Sequence, residues 1–294
     1  MSGGDITRIV VTAGGLGTRI ASWTQYIPKE FYPIAGRPGI AHLLDEIAAL
    51  SPARVAIVCH PYYEQFTAWA RQVLGQHGHT RYDRAAGRIL ATPVPDGLTL
   101  SFVSQRGPYA DITSVINGAD HLGSPEEIYV VFADNLYHCP GPLLALSAAA
   151  VGEAAVLARR YRPELAAQRG VIATAGSPGS RLMIDLAEKP GRHTADAMER
   201  RYGRRNLFLL EGRMRLTAAF TDFARNHNPP TLGEPKLALT LAAYANSNPV
   251  HIIKTSDNVT DLGMPPAVAP ISRTETTTRG AGRLMILPRY WGRS

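Results

Sequence analysis

No uninterrupted apolar stretch in these 294 residues approaches the roughly 20 that a membrane-spanning helix needs, which excludes an integral helical membrane protein. The first residues, Met1-Ser2-Gly3-Gly4-Asp5, lack the basic-then-apolar pattern of a secretory leader. Only two cysteines occur, Cys59 and Cys139, without metal-ligand spacing, so neither a disulfide framework nor a thiolate metal centre is expected and a reducing cytoplasm fits. The net charge of +7 would suit an acidic ligand or a nucleic acid. Aromatic residues, however, do not interleave with the basic ones. The single dense basic run, Arg200-Arg201 with Arg204-Arg205, reads as a solvated helix end, and no nucleic-acid partner is expected. Lysine is scarce: of 31 basic residues, only Lys29, Lys189, Lys236 and Lys254 are lysine. A chain so weighted toward arginine tends to keep lysine where a compact, flexible point charge is needed.

What is present is an alternation of short apolar runs and helical patterns. Residues 8–12, 55–58, 98–103 and 128–132 read as strands, and 38–50, 64–74 and 114–122 as helices. Residues 76–97 read as an irregular excursion or short hairpin. Strands alternating with helices argue an α/β fold with a mixed, mostly parallel sheet. In the second half, 154–160 is strand-like, and 170–174 with 181–186 flank the turn 176–179 as a hairpin. A strand over 206–210, helices near 216–226 and 237–245, and a last strand over 250–254 follow. Residues 1–271 are expected to form one domain, and 272–294 a polar tail or oligomer arm.

The chemistry concentrates at the end of the first strand. Ile9-Val10-Val11 runs into Ala13-Gly14-Gly15-Leu16-Gly17-Thr18-Arg19, and Pro28-Lys29-Glu30 follows. Glycines let backbone N–H groups approach phosphate oxygens, and Arg19 and Lys29 add two cations, an arrangement suited to a triphosphate. The loop lacks the Gly-Lys-Ser/Thr ending of an ATPase phosphate loop and the third glycine of a dinucleotide fingerprint.

Gly-Leu-Gly-Thr-Arg, then Pro-Lys-Glu, Pro33-Ile34 and Arg37-Pro38, resembles the signature of the sugar-1-phosphate nucleotidyltransferases, most nearly the bacterial UTP–glucose-1-phosphate uridylyltransferases. The resemblance runs over residues 8–270, about the whole of the expected domain. It implies a Rossmann-like fold with a smaller β-hairpin part that holds the sugar. It also implies that Ala13, Gly14, Gly15, Gly17, Thr18, Gln105 and Ala110 bind the nucleotide, with the Gln105 carboxamide reading uracil or thymine. Gly170, Glu188 and Lys189 would hold the sugar phosphate, and Asp134 and Asp261 would hold Mg²⁺. Arg19, Lys29 and Lys189 would be the catalytic cations. Glu234 falls near a Gly-Glu step of the family.

The implied reaction joins a nucleoside triphosphate, UTP in preference, to a sugar 1-phosphate and releases pyrophosphate. A thymidylyltransferase and a non-catalytic sugar-nucleotide regulator remain the alternatives. The family forms dimers or tetramers, so a homo-oligomer is expected. Ala110-Asp111 stands where a Gly-Leu step is usual, a departure that bears on the base, while around the sugar pocket Arg169 stands where an aromatic residue is usual and Ala21-Ser22-Trp23 with Gln25 precede Pro28. The resemblance implies glucose 1-phosphate as the default acceptor, and the departures around the sugar pocket point to a modified sugar, such as an amino or deoxy sugar, as the alternative.

Overall fold

The computed structural model describes residues 6–34, 37–73, 82–83, 88–89, 94–137, 139–149, 152–175, 181–227 and 236–263. Strand β1 (Thr7–Ala13) lies between β2 (Ala53–Cys59) and β4 (Glu127–Phe132), parallel to both, and β3 (Leu98–Ser104) extends this block beyond β2. With neighbours on both edges and helices on both faces, Ile9, Val10 and Val11 are wholly buried, which is why their run is continuous rather than alternating. Helix α1 (Gly39–Ile47) covers one face, with Ile40, Leu43, Leu44 and Ile47 inward. Helix α3 (Asp111–His121) covers the other, after α2 (Glu64–Val73).

The C-terminal half adds antiparallel pairing. Short β5 (Asn135–Tyr137) leaves the main sheet just after β4, and α4 (Gly141–Ser147) follows. Strand β6 (Ala154–Arg160) comes next, then the hairpin of β7 (Val171–Thr174) and β8 (Met183–Ala187), whose turn lies outside the described residues. Helix α5 (Arg192–Tyr202) leads to the 11-residue β9 (Leu207–Thr217). Helices α6 (Ala218–Asn226) and α7 (Leu237–Ala245), β10 (Val250–Thr255) and β11 (Val259–Asp261) complete the order.

Strand β9 organises the sheet. One edge pairs with β6, which in turn pairs with β10. The opposite edge is shared: Leu207–Leu209 pair with β7, and Arg213–Thr217 pair with β4. Between these stretches, at Leu210, Glu211 and Gly212, the two partners part, and a crevice opens there. The expected mixed sheet with flanking helices is the architecture found, including the hairpin.

Several expectations need correction. The strand expected over 206–210 continues to Thr217, because Arg213 and Arg215, which look like loop residues, are buried and paired. Of the excursion over 76–97, the described part is a two-residue pairing of Tyr82–Asp83 with Arg88–Ile89, followed by 94–97. Strands β5 and β11, which pair antiparallel, were not anticipated. The 272–294 tail and Glu234 lie outside the described residues. Among the described residues no helix is long and apolar enough to cross a membrane.

Arg213 has no solvent exposure, and all five of its N–H donors are used. Nε and Nη2 donate to the two carboxylate oxygens of Glu46 on α1 at 2.9 and 2.7 Å. Nη1 donates to Phe132 O and Gly212 O, and Nη2 to Asn135 O. Burial pushes the Glu46 carboxyl above its ordinary range, against the pull of Arg213. Removing one partner would strand the other as a buried charge. Glu46→Ala is therefore expected to cost about 3–5 kcal/mol in urea unfolding, and pairing Glu46→Leu with Arg213→Met should recover much of it.

Candidate active site

The Arg213 fork grips both sides of the turn Ala133-Asp134 that joins β4 to β5, and so fixes where Asp134 emerges. The Asp134 backbone carbonyl accepts from Leu262 N at 2.8 Å, and Asp261 stands opposite Asn135 in the β5–β11 pairing. Two aspartates 127 positions apart in sequence thus line one cavity. Asp134 is followed directly by strand β5, not by a helix.

The glycine-rich loop leaves β1 on the same side. Gly17 takes φ of +60°, and a side chain there would run into Thr24, whose hydroxyl donates to Gly17 O. Gly14 lies so close to Gln105 and Ser114 that a Cβ would sit 2.5 Å from Gln105 Oε1. Gln105 is buried. Its oxygen accepts from Ser114 Oγ at 2.8 Å, and its nitrogen donates to Pro108 O and Ala110 O. Its carboxamide therefore braces the loop that carries Ala110. Thr18 begins a helical turn and is exposed, as is Arg19; an Arg19 guanidinium nitrogen lies beside Gly263.

Lys29 is the electrostatic centre of this wall. Its ammonium lies against Gly15 and donates to Asp134 Oδ2, with Glu30 Oε1 at 3.9 Å. Burial works against the charged lysine, but Asp134 and Glu30 outweigh it and hold the pKa above the ordinary lysine range. Burial likewise opposes the Asp134 carboxylate, and the Lys29 charge outweighs it, so this carboxyl sits below its usual range. Both groups are therefore charged at neutral pH.

Across the crevice, Glu188 and Lys189 follow the hairpin strand β8. Lys189 adopts φ of +45°, unusual for a residue with a side chain, and its N–H donates to Arg169 O. Gly170 packs against Glu188 and Leu186, and its carbonyl accepts from Leu210 N. Arg169 Nη2 contacts Asp261 Oδ2 at 3.3 Å.

Two cavities meet here. One is lined by Gly14, Gly15, Lys29 and Ala110, the other by Gly170, Glu188 and Asp261, and Asp111, Phe132, Asp134 and Lys189 line both. A family model described as "Nucleotidyl transferase" matches residues 8–275. The chain belongs to the nucleotidyl transferase family. UTP–glucose-1-phosphate uridylyltransferase YngB of Bacillus subtilis is 23% identical over 274 residues, 88% of this chain and 85% of that protein. Bifunctional protein GlmU of Paramagnetospirillum magneticum is 45% identical over 56 residues, 19% of this chain but only 12% of that protein. A UDP-glucose pyrophosphorylase complexed with UDP-glucose shares the fold with a TM-score of 0.69 at 19% identity, over 91% of this chain and 97% of the other. An inositol-1-phosphate CTP transferase from T. maritima gives 0.64 at 14% identity, over 90% and 92%.

Within this nucleotidyl transferase, Gly14, Gly15, Arg19, Lys29, Ala110, Asp134, Gly170, Glu188, Lys189 and Asp261 line one or both cavities, whereas Ala13, Gly17, Thr18 and Gln105 line neither. Sequence reasoning missed Asn135 and Glu211. Glu211 is buried in mid-strand, where it accepts from Tyr137 Oη at 2.8 Å and pairs with Arg159. The only available signal was a charged residue directly after the apolar run 207–210. No group of three or more His, Cys, Asp or Glu that could enclose a metal occurs among the described residues. Mg²⁺ commonly binds through one or two carboxylates together with substrate phosphates, so Asp134 and Asp261 fit that mode.

Glu30 is wholly buried, and its Oε2 has no hydrogen-bond partner. Burial, opposed by Lys29, pushes its pKa up to about 7 from 4.5. The folded protein then keeps a proton that the unfolded chain loses above pH 4.5. Glu30 stabilises the fold fully below that pH, and its contribution is lost as pH rises through about 7. Glu30→Gln is expected to gain on the wild type between pH 5 and pH 8, by an amount on the order of 3 kcal/mol at most, measured by urea unfolding at each pH.

Proposed function

We propose that this chain condenses a nucleoside triphosphate, with UTP favoured, and a sugar 1-phosphate to an NDP-sugar, releasing pyrophosphate. The observation that carries this reading is the shared wall of the two cavities. Asp134 and Lys189 border both the glycine-rich side, suited to a triphosphate, and the Gly170–Glu188 side, suited to a polar sugar. A reaction that joins two anions needs its charged groups at such a junction. The family match and the likeness to a uridylyltransferase over most of both chains support it.

The attacking phosphate monoester, with a second pKa near ~6, is already mostly dianionic at pH 7 and requires no general base. Its oxygen attacks the α-phosphorus, and pyrophosphate leaves. The obstacle is repulsion between two polyanions. Backbone N–H groups of 14–17 and the cations Arg19 and Lys29 would hold the triphosphate, and Lys189 would place the attacking phosphate. Mg²⁺, held by Asp134 and Asp261, would supply further neutralisation of the reacting phosphates when bound. Lys29 now neutralises Asp134 and is near enough to the glycine loop to turn toward a phosphate. Glu188 would accept from sugar hydroxyls. The polar Asp111 in the cavity lining favours an acceptor with an extra polar substituent, such as an amino sugar. By family resemblance we place the enzyme in the cytoplasm as a dimer or tetramer.

A matrix of UTP, dTTP and CTP against sugar 1-phosphates, with Mg²⁺, should give pyrophosphate and a product of NDP-sugar mass, fastest with UTP. Absence of pyrophosphate with every pair would contradict the proposal. Lys189→Ala should lower kcat by roughly 10²–10³ with an unchanged circular dichroism spectrum, and wild-type turnover in that variant would remove Lys189 from the mechanism.

A further inference from the structure

Arg169 occupies a position that the proposed reaction does not explain. Its guanidinium is mostly buried in the crevice wall. Nη1 donates to Asn135 Oδ1 at 3.1 Å, and Nη2 to Asp261 Oδ2 at 3.3 Å. Behind it, Glu211 Oε2 lies 3.6 Å from Nη1. Glu211 is itself fixed by the Tyr137 hydroxyl and by Arg159. The guanidinium is therefore held on three sides and directed at one of the two carboxylates that fit a divalent cation. A cation this close to a carboxylate opposes the approach of a second cation to the same oxygens, and partial burial strengthens the effect.

Resting on the reading of Asp134 and Asp261 as metal ligands, we propose that Arg169 is a built-in counter-cation of Asp261. It keeps the free enzyme's affinity for a divalent cation low, so that metal is taken up together with the triphosphate. The two carboxylates are each paired with a cation of the chain itself, Asp134 with Lys29 and Asp261 with Arg169. A triphosphate brings the negative charge that lets a metal join them. Arg169 acts through Asp261 and need not touch the reacting atoms. Its backbone also receives the Lys189 N–H, so the same residue ties the metal carboxylate to the lysine that borders both cavities.

The test uses the full chain with Mn²⁺ alone as probe, free Mn²⁺ being counted by its electron paramagnetic resonance signal. Arg169→Gln and Arg169→Tyr remove the charge, and Arg169→Lys keeps it. Without nucleotide, both uncharged variants are expected to bind Mn²⁺ about tenfold or more tightly than wild type, with Arg169→Lys close to wild type. Adding UTP should raise wild-type Mn²⁺ affinity more than that of either uncharged variant. A merely bracing arginine would give unchanged or weaker binding in the uncharged variants, and that result overturns the proposal. Two uncharged side chains are used so that misfolding of one leaves the other to decide. Pyrophosphate release by the wild type separates the two levels. Mg²⁺-dependent release with no tightening in the variants sinks only the counter-cation role, whereas metal-independent release sinks the metal reading beneath it.

Discussion

A guanidinium with no access to solvent determines where this site can form. Arg213 lies on β9, just past the point at which the sheet partners of that strand diverge. Its five donors reach helix α1 through Glu46, the end of β4 through Phe132, and the start of β5 through Asn135. These contacts tie three elements of the fold to β9 around one turn, and Asp134 is the residue that the turn presents. Burying a charge so completely is costly unless every donor is satisfied. Here every donor is, and the arrangement specifies a geometry that an apolar contact would leave loose.

The same economy governs the rest of the crevice. Lys29 sits against Asp134, Arg169 against Asp261, and Glu211 between Arg159, Arg169 and Tyr137. Opposite charges are placed in pairs, so the free protein carries a dense set of ions without a large uncompensated field. On the proposed reading, a phosphate would draw Lys29 away from Asp134 and free that carboxylate for Mg²⁺.

The first half of the fold was legible because its rules are local. Ile9-Val10-Val11 and 128–132 are continuous apolar runs, which is how a strand buried on both faces reads, and the glycine-rich loop needs its glycines for conformational and steric reasons at Gly17 and Gly14. The second half was less legible because tertiary pairing overrides local pattern. Glu211, Gly212, Arg213 and Arg215 look like a polar break after Leu210, yet they continue a central strand because each charge finds a partner from a distant element. The β5–β11 pairing that joins the two aspartates is only three residues long and spans more than a hundred positions, so no local signal marks it. Gln105 was visible as a candidate, but its hydrogen bonds into the loop at Pro108 and Ala110 could not be anticipated from its type alone.

The account depends most on the claim that Asp134 and Asp261 share a divalent cation when the triphosphate is bound. The direct measurement is an anomalous difference map from a crystal of the enzyme with Mn²⁺ and UTP. The account expects a Mn²⁺ peak between the two carboxylates, with Lys29 and Arg169 no longer paired to them as in the free protein. Ordered UTP with no peak between Asp134 and Asp261, and both carboxylates still bound to Lys29 and Arg169, would contradict it.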